Sequence, residues 1–169
     1  MQFIFYFMKK SIVKVSNTAA LHKAAMICSN QEMSKREIRN RLMKWGIDEK
    51  NIVHIVNKLV DEKYIDEERF ALCFFRDKIR LNKWGKEKII YGLRSSGLPE
   101  NLIMSASDKI DAQEYYDMIE GEINKKLKLT RQTDIFNIKA GIFRFAQSRG
   151  YEIGIVSQIL NKLLNCEKF

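Results

Sequence analysis

The sequence predicts an all-α protein built from tandem three-helix repeats, and three observations predict it. Strand and turn punctuation is sparse, with one Pro and eight Gly in 169 residues. Apolar residues recur at spacings of three and four, one face of an amphipathic helix. A short helix ending in glycine also recurs down the chain, first at an offset of 51 residues and then, more loosely, of 53.

The first two copies are MSKREIRNRLMKWGI, Met33 to Ile47, and WGKEKIIYGLRSSGL, Trp84 to Leu98, which align without gaps. Ser34 is an N-cap type with Glu37 three residues on, the spacing at which each side chain satisfies a backbone N–H left over at the helix start. Met33 and Ile38 flank it at staple positions. In the second copy Gly85 replaces the cap while Trp84 and Ile89 keep the staple. Gly46 and Gly97 fall where a helix ends in a residue of positive φ, which glycine adopts without a Cβ penalty. Pro99, two residues after Gly97, stops the helix from continuing. The looser third copy is Lys139 to Val156, in which Ile142, Gly150 and Tyr151 take the places of Ile89, Gly97 and Leu98.

After each glycine runs another apolar-periodic segment: Ile47, Ile52, Ile55, Val56, Leu59; Leu98, Leu102, Ile103, Ala106; Tyr151, Ile155, Val156, Ile159, Leu163. Before each copy lies a third helical stretch, Asn17–Ser29, Asp66–Leu81 and Asp111–Leu129. In the stretch KYIDEERFALCFF, Asp66 is an N-cap type. Glu67 and Glu68 sit in the first turn, where the helix dipole favours anions by about 0.3–1 kcal/mol each, and Ile65 and Phe70 are staple-spaced. The acids are therefore expected to start a helix and not to form an active site. The expected organisation is an N-terminal arm over 1–16, repeats over 17–63, 64–108 and 109–165, and a tail over 166–169. The opening MQFIFYFMKK has only about seven apolar residues before its lysines, short of the roughly 20 that span a bilayer. Its charges follow the apolar run, unlike a signal peptide; a strand-like arm or an upstream start, with Met8 as the true beginning, is expected.

Catalytic and metal chemistry finds no support. Cys28, Cys73 and Cys166 are odd in number and far apart, which fits a reduced, cytoplasmic protein without disulfide or zinc. His22 and His54 fall on different helices with no carboxylate at ligand spacing. No phosphate-cradling glycine loop is present, and adjacent acids such as Asp61 and Glu62 diverge on a helix. A non-enzyme without cofactor is expected.

What the chain offers is positive charge. Thirty Lys and Arg against 21 Asp and Glu give +9, a field that favours polyanions or acidic protein faces. Arg76, Lys78, Arg80, Lys83, Lys86, Lys88 and Arg94 cluster around Trp84 and Tyr91; Lys35, Arg36, Arg39, Arg41 and Lys44 form a second group, and Lys125, Lys126, Lys128 and Arg131 a third. Clusters at equivalent places in stacked repeats would line one stripe that attracts phosphates without reading bases. Helix-turn-helix recognition of DNA is disfavoured, because Asp48–Leu59 and Pro99–Ala106 carry little that suits base edges.

The string Tyr64-Ile65-Asp66-Glu67-Glu68-Arg69-Phe70-Ala71, followed by Trp84-Gly85-x-x-Lys88-Ile89-x-x-x-Leu93-x-x-x-Gly97-Leu98 and by Arg149-Gly150-Tyr151, resembles the RecX family of RecA regulators over roughly Ala20 to Leu164. The resemblance implies an elongated, curved array of three-helix repeats that binds in the groove of RecA filaments on DNA and inhibits their ATPase and strand exchange, in recombinational repair and the SOS response. It implies a cytoplasmic monomer with RecA and DNA as partners and no cofactor. Candidate contact residues are then Arg36, Arg39, Arg76, Lys78, Arg80, Lys83, Trp84, Lys86, Lys88, Arg94, Lys125, Lys126, Lys128, Arg144 and Arg149. Tyr64, Asp66, Arg69, Phe70, Gly85, Gly97 and Gly150 are signature positions of structural kind. The chain departs from the pattern at Gly92, inside a helix, and at Ser96 in place of a basic residue. The alternative is a helical-repeat module that binds nucleic acid nonspecifically, without a recombinase partner.

Overall fold

The computed structural model describes residues 15–130 and 134–166, and among these it holds nine α-helices and no strand. They are α1 Asn17–Asn30, α2 Lys35–Lys44, α3 Glu49–Asp61, α4 Glu67–Asn82, α5 Lys86–Ser95, α6 Glu100–Asp108, α7 Ala112–Lys128, α8 Ile135–Arg149 and α9 Ile153–Cys166. The chain divides between Asp66 and Glu67 into two compact units. Residues 1–14 of the expected arm, Met8 included, Arg131, and 167–169 of the expected tail lie outside the described residues.

In the first unit, the periodicities seen in the sequence become one core. α1 contributes Ala20, Ala24 and Cys28 at successive turns, α2 Ile38 and Leu42, and α3 Ile52, Ile55, Val56 and Leu59. Full burial of each Ile or Leu stabilises by about 1.5–3 kcal/mol. The capping box forms as expected: the Glu37 N–H donates to Ser34 Oγ at 3.2 Å, and the Ser34 N–H donates to Glu37 Oε2 at 2.9 Å. Asp48 caps α3 in turn, accepting from the Asn51 N–H at 3.0 Å. Each helix start of this unit is thus satisfied from within the unit.

The second unit holds two clusters. Phe70, Ala71 and Phe75 of α4 pack with Ile89 and Leu93 of α5 and with Ile103 and Ala106 of α6. Tyr115, Ile119 and Ile123 of α7 pack with Ile142 and Ala146 of α8, Tyr151, and Val156, Ile159 and Leu160 of α9. Ile79 and Ile110 pack against both clusters.

The three glycines at helix ends share one geometry. Gly46, Gly97 and Gly150 have φ of 78°, 82° and 77°. In each case the next residue donates its N–H back five residues, Ile47 to Leu42, Leu98 to Leu93 and Tyr151 to Ala146, at 3.1, 3.3 and 3.0 Å. Each glycine donates back three residues, to Met43, Arg94 and Gln147. This is the Schellman pattern, with buried residues at both ends of each five-residue bond.

Two expectations are corrected. α8 starts at Ile135 rather than near Lys139, because Asp134 caps it, its carboxylate accepting from the Asn137 N–H at 2.9 Å. Of the two staple-spaced residues, Ile65 is buried in the core of the first unit and Phe70 in that of the second. Gly85 is not merely a weaker cap than Ser34, for reasons that arise at the surface described next.

Candidate interaction surface

The residues singled out for their charge separate into two groups once placed. Arg76 and Arg80 lie one turn apart on α4, exposed, with no ion-pair partner among the described residues. With Lys83 they line one wall of an open groove of about 580 Å³, whose far wall includes Lys109, Ile110, Asp111, Glu114 and Tyr115. Asp77 also lines it. The groove is therefore of mixed charge, with free guanidinium groups on the α4 side.

A second set of cations is committed to contacts inside the protein. Lys78 and Lys88 place their ammonium groups over the Trp84 ring, at 5.1 and 4.7 Å from its centroid, which leaves that indole half-buried beneath two cations. Lys88 Nζ donates to the Ser148 carbonyl at 3.0 Å, and Arg149 to the Asn82 carbonyl at 3.1 Å while stacking on Phe145. Lys86 lies over Tyr115. Arg94 forms a two-pronged pair with Glu100, its Nε donating to Oε2 at 2.8 Å, which raises the Arg94 pKa and holds the Glu100 carboxyl below the usual carboxylate range. Arg39 pairs with Glu49 at 2.6 Å and Lys125 with Glu122 at 2.8 Å. Arg36, Lys126, Lys128 and Arg144 are exposed.

Around Gly85 the backbone itself makes the contact. The Gly85 N–H donates to the Arg149 carbonyl at 2.8 Å and the Glu87 N–H to the Gly150 carbonyl at 3.2 Å. Between them the Lys86 N–H donates to Tyr115 Oη at 2.8 Å, and that hydroxyl donates to Glu152 Oε2. The start of α5 is thus capped not by its own side chains but by the C-terminal end of α8, with positive and negative ends of the two helix dipoles together. Tyr151 Oη adds a bond to the Lys83 carbonyl at 2.8 Å, where Lys83 takes a left-handed φ of 54°. Burial pushes the Tyr151 phenol up to about 12, and burial and the Glu152 carboxylate push Tyr115 higher still.

Sequence reasoning missed Tyr115 and Glu152. The one signal was the pair of glycines, since an added Cβ on Gly85 would lie 1.9 Å from the Gly150 carbonyl oxygen, and one on Gly150 would lie 2.5 Å from Lys88 Cβ. Of the signature positions, Tyr64 packs on the first core, Phe70 is buried in the second unit, Asp66 immediately precedes α4, and Arg69 is exposed. No described helix is long and apolar enough to cross a membrane.

Fold and surface together define an all-α helical-repeat protein with exposed arginines, Arg76 and Arg80, on the α4 side of a groove of mixed charge. Comparison with known proteins narrows the class. Residues 66–106 match the family model described as RecX, second three-helix domain. The chain is 29% identical over 161 residues to the regulatory protein RecX of Oceanobacillus iheyensis, covering 90% of this chain and 57% of that one. It is 31% identical over 133 residues to that of Clostridium tetani, covering 78% and 61%. It thus spans about three fifths of the length of these relatives. Its fold matches the crystal structure of RecX from Lactobacillus salivarius with a TM-score of 0.78 at 20% identity, over 87% of this chain and 96% of that one. The chain is thus similar to the RecX family in its second three-helix domain, in overall sequence and in fold, and the relatives it resembles are named as regulatory proteins.

Proposed function

We propose that this protein binds RecA recombinase filaments in the cytoplasm and inhibits their ATPase and strand-exchange activity, as a monomer whose repeats 17–63, 64–108 and 109–165 act together. The observation that carries this reading is the similarity to proteins named regulatory protein RecX, centred on the second three-helix domain at 66–106. The free arginines Arg76 and Arg80 lie within that domain and supply groups suited to phosphate or carboxylate on a filament. Titration of the protein into the DNA-dependent ATPase of the cognate RecA tests it. Hydrolysis is expected to slow at substoichiometric protein, and a flat response across the titration would overturn the proposal.

The same unpaired arginines favour a second reading, nonspecific binding to nucleic acid alone. That reading requires tight binding to bare DNA, falling by about 0.7–0.9 log units per contacted phosphate for each tenfold rise in salt. Strong binding to filaments with weak binding to bare DNA decides for the first.

A further inference from the structure

We propose that the surface where α7 ends and α8 begins docks a segment of the protein partner that is acidic and carries an apolar anchor, a contact to protein rather than to DNA. This rests on the filament reading above and assigns one of its contacts.

Two observations meet there. The first is a hollow of about 460 Å³ lined by Lys126, Thr130, Asn137, Gly141, Arg144 and Phe145. It holds two cations and two neutral polar groups, and no carboxylate lines it. Neither Lys126 nor Arg144 has an ion-pair partner among the described residues; the Lys126 ammonium lies over the Phe145 ring, 6.0 Å from its centroid. An added Cβ on Gly141 would meet nothing within 4 Å, so the floor is open. A hollow of this kind is complementary to an anion.

The second observation is apolar. Leu129, Ile135 and Phe136 are 79%, 55% and 78% exposed, next in the chain to Thr130 and Asn137 of the hollow. Large apolar side chains left exposed beside a charged hollow suit a partner that covers both. A phosphodiester would match the cations but leave Leu129 and Ile135 in water, since aliphatic side chains offer a base no ring to stack on. A protein segment with carboxylates for Lys126 and Arg144 and an apolar side chain against Phe136 covers both halves.

The test uses the full chain and its Phe136→Ser and Arg144→Glu variants, both at exposed positions, with retained folding checked by thermal melting. Three readouts are taken: inhibition of the cognate RecA ATPase, binding to a bare single-stranded oligonucleotide, and sedimentation with phosphatidylserine-containing vesicles. Each variant is expected to need about tenfold more protein for half-inhibition. Phe136→Ser is expected to bind the oligonucleotide as the wild type does, and no form to sediment with vesicles. The inference is overturned if the wild type inhibits and Phe136→Ser inhibits equally well. It is also overturned if both variants lose oligonucleotide affinity in step with inhibition, which makes this a nucleic-acid site, or if the wild type sediments with vesicles and the variants do not. Failure of the wild type itself to slow the ATPase would instead remove the filament reading, and this contact with it.

Discussion

Gly85 and Gly150 meet backbone to backbone: Gly85 lies so close that a Cβ there would sit 1.9 Å from the Gly150 carbonyl oxygen, and the Gly85 N–H donates to the neighbouring Arg149 carbonyl at 2.8 Å. Gly85 has an ordinary φ of −81°, so closeness and not backbone conformation requires glycine here. Gly150 answers to both demands, with φ of 77° and Lys88 Cβ against it. The two helix ends cap each other, so α4–α6 and α7–α9 hold together in one unit.

Gly85→Ala is therefore expected to destabilise the second unit by about 2–4 kcal/mol, combining overpacking against backbone with two weakened hydrogen bonds. Ser34→Ala, which removes only a side-chain cap, is expected to cost about 1 kcal/mol in the first unit. Urea unfolding followed by far-UV circular dichroism compares them; equal effects of the two variants would refute the role given to Gly85.

Gly92 lies in the middle of α5, where glycine costs about 1 kcal/mol relative to alanine. An added Cβ would meet only the Phe74 ring, at 3.4 Å, an ordinary contact. Gly92→Ala is expected to raise stability by about 0.5–1 kcal/mol. A lower melting temperature would show that Phe74 has no room to give.

Alkaline pH should weaken the second unit through its buried phenols. The buried Tyr151 phenol titrates at about 12 in the folded chain against roughly 10 when unfolded. Its contribution is thus fully present below pH ~10 and is lost as pH rises through the folded value, because the unfolded chain gives up the proton first. The expected slope is about 1.4 kcal/mol per pH unit in that window. Tyr115 shifts in the same direction and adds to it. Urea midpoints measured from pH 9 to 11 should fall less steeply in Tyr151→Phe than in the wild type.

Charge reversal should distinguish free cations from committed ones. Arg76→Glu with Arg80→Glu removes exposed, unpaired groups and is expected to weaken inhibition of RecA about tenfold or more with melting unchanged. Lys88→Glu breaks the bond to the Ser148 carbonyl and the packing on Trp84, and is expected to lower the melting temperature as well. Parallel melting and inhibition across both sets would show that the α4 arginines act only through stability.

Helix identity, the capping box at Ser34, the glycine ends at 46, 97 and 150, and most of the core positions in the helices that follow those glycines were legible in the sequence. Each depends on residues within about five positions of one another, a range over which spacing and residue type carry the physics. The start of α8 was misread because the cap at Asp134 lies in a stretch where the repeat is loosest. The reason for Gly85, the Tyr115–Glu152 pair and the division of cations into free and committed groups came only with the tertiary structure. The contacts around Gly85 join residues far apart in sequence, as with Lys88 and Ser148, 60 positions apart, and Tyr151 and Lys83, 68 apart. A lysine on a helix face looks alike in sequence whether water or a carbonyl from another helix awaits its ammonium group. Local spacing and residue type were enough to mark the helices and many of their buried positions; the meeting of the α5 start with the α8 end, where Lys88 reaches the Ser148 carbonyl and Arg149 the Asn82 carbonyl, could be known only from the packed chain, because it joins groups more than fifty residues apart.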